Sequence, residues 1–197
     1  MHWDEIYSQT NLKDLHWYPG EPDEILKQAV DEVWLPEPKV LDIGSGQGTD
    51  AIFLAGRGYQ VTALDLSQVA RDVALQEATR AGVQIDYHVG NALTMPFADG
   101  TFDSVVERGC FHHIARPDWE CYVDQIARVL KPNGVFLYRS FCWKSQFRTE
   151  PEALLTEEAV RSAFGRRFTF VRFGEYMGRG QNGRSSAEMH WGLLVRM

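Results

Sequence analysis

The stretch KVLDIGSGQGTDAIFLAGRGYQVTALDLS, Lys39 to Ser67, sets three alternate glycines, Gly44, Gly46 and Gly48, between two apolar runs. Each run carries a carboxylate near its end, Asp42 and Asp65. Val40–Ile43 and Gln60–Leu64 read as short strands. Thr49–Arg57 between them, with Ala51, Phe53, Leu54 and Ala55, reads as a helix. Strand, glycine turn, helix and strand make one parallel βαβ unit. In an open parallel sheet, ligands bind beyond the carboxyl ends of the strands, where this turn falls. Glycine there permits positive φ and removes the Cβ that would block a ligand, and the first turn of the helix offers free N–H groups.

The same alternation continues outward. Gln84–Val89, Ser104–Glu107 and Val135–Tyr138 read as further strands, and Gln68–Ala81 and Trp119–Leu130 as amphipathic helices with Ser67 and Asp118 as N-caps. Pro132-Asn133-Gly134 is a turn into the fifth strand. After a helix over Thr156–Phe164, Arg167–Phe173 and His190–Arg196 follow without a helix between them. They imply a terminal antiparallel hairpin with a glycine-rich connection, GEYMGRGQNGRSSAEM. The expected fold is α/β, Rossmann-like and doubly wound. Its mostly parallel seven-stranded sheet ends in a C-terminal antiparallel hairpin and carries helices on both faces. The expected organisation is one domain over 1–197, with an N-terminal arm or lid and helix in 1–35, a binding core in 39–140 and the C-terminal helix and hairpin in 141–197. The arm is read as irregular up to a helix from about Asp23 to Val33.

A chain of 197 residues with 44% hydrophobic content suits one domain with a substantial core. No apolar run approaches the roughly 20 residues that span a bilayer. The acidic, aromatic start MHWDEIYSQTN argues against a secretory signal. Cys110, Cys121 and Cys142 are odd in number and lack CxxC spacing, so reduced thiols and a cytoplasmic location are expected. The net charge of -7 excludes an evident nucleic-acid binder. The charge is uneven: residues 1–138 hold 10 Lys/Arg against 21 Asp/Glu, and residues 139–197 hold 10 against 6. The expected partner is a small molecule, with neither nucleic acid nor membrane, and the expected state is a monomer or homodimer.

A dinucleotide fingerprint would read GxGxxG. Here the third spaced glycine is replaced by Thr49 and a glycine falls one residue early. Asp42, two residues before Gly44, is unwelcome beside a pyrophosphate and suits a cation, while Asp65 stands where a carboxylate accepts from ribose hydroxyls. A ribose and a positive charge with no required phosphate describe S-adenosylmethionine. D-I-G-S-G-Q-G, ALDLS, VGNALTMPFADGTFDSVVERGCFHHI and ARVLKPNGVFLYRS, in that order from Lys39 to Ser140, resemble the motifs of class I S-adenosylmethionine-dependent methyltransferases. Trp3 with Tyr7, HWYPGEPDEIL and DAIFLAGRGYQVTALDLS resemble more narrowly the small bacterial enzymes similar to thiopurine and thiol methyltransferases.

The resemblance implies roles. Asp42, Gly44, Gly46 and Gly48 would bound the methionine end of the cofactor, Asp65 would bind the ribose, and Leu66 would pack on the adenine. Asn91, where many members carry aspartate, and Ala92 would meet the adenine edge. Glu107 and Arg108, with Gly109, would lie beside the transferring methyl, and Trp17 would belong to an arm folding over the cofactor. In such a displacement the protein aligns an electron pair with the methyl, excludes water and often removes a proton. His112 and His113 are the candidate catalytic bases because histidine titrates near neutrality. As neighbours in an extended loop they would point opposite ways, and they lack a third ligand for a metal. His16, Tyr18, Phe111, Arg139 and Trp143 are the candidate substrate contacts, and their aromatic character favours a flat acceptor attacked through S, O or N. Arg139 has a second reading, as a partner for a sheet-edge carboxylate. Two other functions remain open at this point: a nicotinamide-dependent oxidoreductase, and a cofactor-binding module without transferase activity.

Overall fold

The computed structural model describes residues 3–10, 15, 20–142, 144, 155–179 and 186–197. His16, Trp17, Tyr18 and Trp143 lie outside the described residues. The helices are α1 (Trp3–Gln9), α2 (Glu24–Asp31), α3 (Thr49–Gly56), α4 (Gln68–Ala81), α5 (Trp119–Val129) and α6 (Glu157–Phe164). The strands are β1 (Lys39–Ile43), β2 (Gln60–Asp65), β3 (Asp86–Val89), β4 (Phe102–Glu107), β5 (Leu130–Phe141), β6 (Phe168–Arg179) and β7 (Ser186–Arg196). They form one sheet in the order β3-β2-β1-β4-β5-β7-β6. All pairs from β3 to β5 are parallel, and β7 runs antiparallel between β5 and β6. The strand order reverses at β1, which pairs with β2 on one side and β4 on the other. The loops after β1 and β4 therefore leave the sheet in divergent directions and open a crevice between them.

Alternation along the central strands builds the core on both faces. Leu41, Ile43, Val105, Phe136 and Tyr138 pack on one face with Phe111, Tyr122, Ile126 and Phe164. Val40, Val61, Ala63, Val106 and Leu137 pack on the other with Leu26, Ala29, Ala51 and Leu54. Burial of both faces explains why these strands read as nearly unbroken apolar runs. The helix starts are chemically marked. Ser67 Oγ accepts from Ala70 N (3.1 Å) at α4, Thr156 Oγ1 from Ala159 N (3.1 Å) at α6, and Asp23 Oδ1 from Leu26 N (2.9 Å) at α2.

Four expectations are corrected. The segment read as an irregular arm contains α1, whose Trp3, Ile6 and Tyr7 pack with Ala70 and Val69 of α4. The glycine-rich connection near the C-terminus is largely strand, because β6 and β7 pair from Phe168↔Arg196 as far as Arg179↔Ser186. Lys131 to Gly134 form an irregularity inside β5, between the pairs Phe102↔Leu130 and Ser104↔Val135, with Asn133 at φ 62°. Asp118 makes no side-chain cap at α5, because a 3-10 turn, Arg116–Asp118, already leads into that helix. Among the described residues no helix is long and apolar enough to cross a membrane.

Candidate active site

The site begins where β1 ends. Gly44 N and Ser45 N both donate to Leu64 O, at 2.8 and 3.2 Å, so the loop turns back over the end of β2. Gly44, Gly46 and Gly48 take φ of 67°, 52° and 78°, values that favour glycine. A Cβ on Gly44 would lie 2.9 Å from Cys110 Cβ, and one on Gly48 would lie 2.9 Å from Ala74 Cβ. The space these glycines clear is thus partly filled by the protein itself: the loop after β4 and helix α4 press directly on them. Asp65 ties the arrangement together. Its Oδ2 accepts from Gly46 N and its Oδ1 from Ser67 N, both at 2.9 Å. Each carboxylate oxygen retains capacity for a further donor. Burial raises the pKa of Asp65, against the lowering effect of these N–H groups.

Behind the loop lies a buried charge cluster. Arg139 is wholly buried and donates from Nη1 to Asp23 Oδ2 (3.0 Å) and from Nη2 to Asp50 Oδ2 (2.8 Å). Tyr176 OH also donates to Asp23 Oδ2 (3.0 Å), and Arg108 Nε stands 3.8 Å from Asp50 Oδ2. Asp42, 2% exposed, belongs to the same cluster, and burial together with the nearby Asp50 raises its pKa to about 7. Three carboxylates face two guanidinium groups. Asp42 Oδ2 and Asp50 Oδ1 are buried with no hydrogen-bond partner among the described residues. A buried carboxylate oxygen without a donor is costly, and an excess of negative charge beside the glycine loop fits a cationic ligand. Arg139 is corrected here: both its terminal nitrogens are committed to carboxylates, so it does not face a substrate. This is the second of the two roles considered for it.

The loop after β4 also departs from expectation. Glu107 is fully buried, and its Oε2 accepts from Cys110 N (2.7 Å) and Phe111 N (3.0 Å). It organises the loop rather than offering its carboxylate to a cofactor, and burial pushes its pKa up to about 7. Phe111 is corrected too. It is 0% exposed and packs its ring on Trp119, Tyr122, Tyr138 and Phe164, so it is a core residue and not a substrate contact. Phe111–His113 form a 3-10 turn. The two histidines therefore do not point opposite ways: their rings lie 4.2 Å apart. His112 is half-buried and anchored through Nδ1, 3.0 Å from Ser140 Oγ. Burial and the neighbouring His113 hold its pKa well below the ordinary value. Desolvation also lowers His113, to about 4.

A sequence family described as a methyltransferase domain matches residues 40–134. An uncharacterized methyltransferase of Schizosaccharomyces pombe is 28% identical over 111 residues, which are 55% of this chain and 77% of that one. A structure concerning the conversion of a disulfide bond into a thioacetal group during echinomycin biosynthesis matches with a TM-score of 0.87 at 25% identity, over 98% of this chain and 90% of the other. A SAM-dependent methyltransferase of Methanosarcina mazei matches with a TM-score of 0.77 at 20% identity, over 90% of this chain and 99% of the other. Residues 40–134 are thus similar to methyltransferase domains, and the fold is that of Rossmann-like methyltransferases. The chain spans about a third, 35%, of the length of its Mycobacterium tuberculosis relatives, at 30% identity over 99 residues.

The remaining expected cofactor residues are distributed unevenly. Leu66 is 52% exposed, unusual for a leucine and suited to cover a flat ring. Asn91 is exposed, and its Oδ1 accepts from Leu93 N (2.9 Å), which leaves its amide N–H groups as the freer face. Ala92 turns its methyl into the core, so only its backbone can serve a ligand.

The domain also holds residues that the sequence reading missed. Asp50 and Asp23 complete the charge cluster. Helix α1 spans the two sides of the crevice: Asp4 Oδ1 accepts from Ser67 Oγ (2.5 Å) and Val69 N (3.3 Å), and Trp3 meets the His113 ring edge-on at 4.9 Å. The Tyr7 hydroxyl lies 3.0 Å from where a Cβ on Gly46 would stand. The signal was present, because Trp3, Ile6 and Tyr7 recur at i, i+3 and i+4.

Proposed function

We propose that this chain transfers the methyl group of S-adenosylmethionine to a small aromatic or heteroaromatic acceptor through S, O or N, with sulfur favoured. The observation that carries the reading is the pair of unpartnered buried oxygens, Asp42 Oδ2 and Asp50 Oδ1, beside the glycine loop. They call for a cation, and the same excess of carboxylate disfavours the pyrophosphate of a nicotinamide cofactor. When bound, the cofactor supplies a methyl group on a sulfonium, which leaves readily. In this reading Asp42 and the backbone of Gly44, Gly46 and Gly48 hold its methionine end, and Asp65 accepts from the ribose. Leu66 covers the adenine, with Asn91 and the backbone of Ala92 at its edge. Arg108 and the backbone of Glu107 border the methyl. Trp17 is proposed for the cofactor, and His16, Tyr18 and Trp143 for the acceptor.

Three observations support sulfur. The first is the resemblance to thiol methyltransferases in the arm and the first βαβ unit. The second is the solved relative concerned with sulfur chemistry in echinomycin biosynthesis. The third is His112, kept neutral by burial and by His113. So weak a base suits an acceptor that ionises readily, and a thiol near 8.5 gives up its proton more easily than a phenol near 10.

Titration calorimetry with S-adenosylhomocysteine and with NADH tests the cofactor. Tight NADH binding without affinity for S-adenosylhomocysteine would overturn the reading. Labelled S-adenosylmethionine with panels of thiols, phenols and amines tests the acceptor. Binding without turnover on every class would favour a non-catalytic binding module. Asp65→Ala is expected to weaken S-adenosylhomocysteine binding by about 1–3 kcal/mol through lost charge-assisted hydrogen bonds. A dissociation constant equal to that of the wild type would remove the ribose role.

A further inference from the structure

The ring of His112 is held on three sides. Its Nδ1 meets Ser140 Oγ at 3.0 Å, its face stacks on Phe141 at 4.3 Å and 27°, and its Cε1 edge lies against Gly109. Gly109 has φ +89°, and a Cβ there would come within 3.0 Å of Cε1, so the position is cleared for the imidazole. Ser140 is wholly buried on β5, with its backbone fixed opposite His190 of β7. His112 is half-buried, and its Nε2, by contrast, makes no hydrogen bond among the described residues. One nitrogen is anchored on buried Ser140, and the other is without a partner among the described residues, in the loop after β4. That is the arrangement in which an orienting partner selects a tautomer.

We infer that Ser140 is a positioning residue for methyl transfer: its hydroxyl accepts the Nδ1–H of His112 and so leaves the Nε2 lone pair to take the acceptor's proton. This polarity needs an acceptor for the Ser140 proton, and the Tyr138 hydroxyl, two residues away on the same face of β5, is buried with no hydrogen-bond partner among the described residues. The reverse polarity, with Ser140 donating to Nδ1, would put the ring's proton on Nε2 and leave no base. The inference rests on the transferase reading above. In the step itself the acceptor's electron pair forms a bond to the methyl carbon as the carbon–sulfur bond breaks, and the pair of that bond stays on sulfur. The acceptor's proton passes to Nε2, and the imidazolium then returns it to solvent.

The tautomer can be read without knowing the natural acceptor. Two-bond proton–nitrogen correlation spectra of the full chain labelled with 15N-histidine, with His112→Gln assigning the resonances, are expected to show His112 protonated on Nδ1 and bare on Nε2. Ser140→Ala is expected to shift it to the other tautomer or a mixture, and Ser140→Thr to preserve it. Protonation on Nε2 in the wild type, or an unchanged tautomer in Ser140→Ala, would overturn the proposal. If Ser140→Ala does not fold, the wild-type and Ser140→Thr spectra decide. With S-adenosylmethionine and phenylmethanethiol, a thiol that is protonated at neutral pH, as the probe, Ser140→Ala is expected to lower kcat roughly 10–100-fold at unchanged KM, Ser140→Thr to restore it, and His112→Gln to lose about 100-fold or more. Full turnover in His112→Gln or Ser140→Ala would also overturn it. Wild-type protein that binds no S-adenosylhomocysteine would remove the transferase reading and the proposal with it. Normal binding with the wrong tautomer would remove the proposal alone.

Discussion

Replacing Arg139 with methionine is expected to destabilise the domain by about 3–5 kcal/mol in urea unfolding, the range for removing one partner of a buried ion pair. The side chain is 0% exposed, and its two terminal nitrogens sit 3.0 Å from Asp23 and 2.8 Å from Asp50. Methionine keeps much of the packing volume, so the loss reports charge rather than a cavity. Without the guanidinium, Asp23 and Asp50 stay buried with Tyr176, the Leu26 N–H and the more distant Arg108 to answer them. The effect has a pH signature. Burial alone would raise the pKa of Asp23, yet Arg139 and Arg108 hold it below its ordinary value of 3.8. Its contribution is therefore present above pH 3.8 and lost as pH falls through the depressed value. The penalty for Arg139→Met should accordingly shrink in acid, where the stranded Asp23 carboxylate is protonated. A loss below about 1 kcal/mol at neutral pH, typical of exposed pairs, would mean that the cluster is not the anchor its burial suggests.

That cluster also marks the limit of what the sequence made legible. The first βαβ unit, the glycine turn and the helix starts at Ser67 and Thr156 are local features: apolar runs, caps and punctuation within a few residues of one another. The charge cluster is assembled from residues 116 and 89 positions apart, Arg139 with Asp23 and Arg139 with Asp50. No periodicity records such separations. Glu107 and Phe111 failed for a different reason. Strand parity predicts which side chains face the crevice only while the chain stays extended. Here the chain bends over residues 108–110 after β4 and coils into a 3-10 turn, which sends Phe111 into the core and brings the two histidine rings together. Helix α1 was legible but short, and its seven residues would be marginal alone. Its stability comes from docking on α4.

Cofactor affinity is expected to fall by about 100-fold between pH 8 and pH 5, with nearly all of the loss below pH 7. Asp42 is the cause. Burial and Asp50 raise its pKa to about 7 in the free domain, so it is largely protonated at pH 5 and ionised at pH 8. A cationic ligand selects the ionised form, and below the pKa each pH unit then costs up to about tenfold in apparent affinity. Free-protein stability moves the other way. A carboxylate whose folded pKa is raised from 3.8 to about 7 contributes stability that is fully present below 3.8 and lost as pH rises through 7. The bare site is thus least comfortable in the pH range where it binds best, and the ligand relieves that. Glu107 also titrates near 7. Its carboxylate is hydrogen-bonded to Cys110 and Phe111 N–H groups, so it should shift stability with pH without shifting affinity. Asp42→Asn separates the two: calorimetric binding of S-adenosylmethionine should become flat from pH 5 to 8, while the pH dependence of unfolding contributed by Glu107 remains. Wild-type binding in buffers of different ionisation enthalpy should show proton release near pH 6.5. An affinity that still falls 100-fold in Asp42→Asn would move the titrating group elsewhere, and would remove Asp42 from the cation-binding role proposed for it.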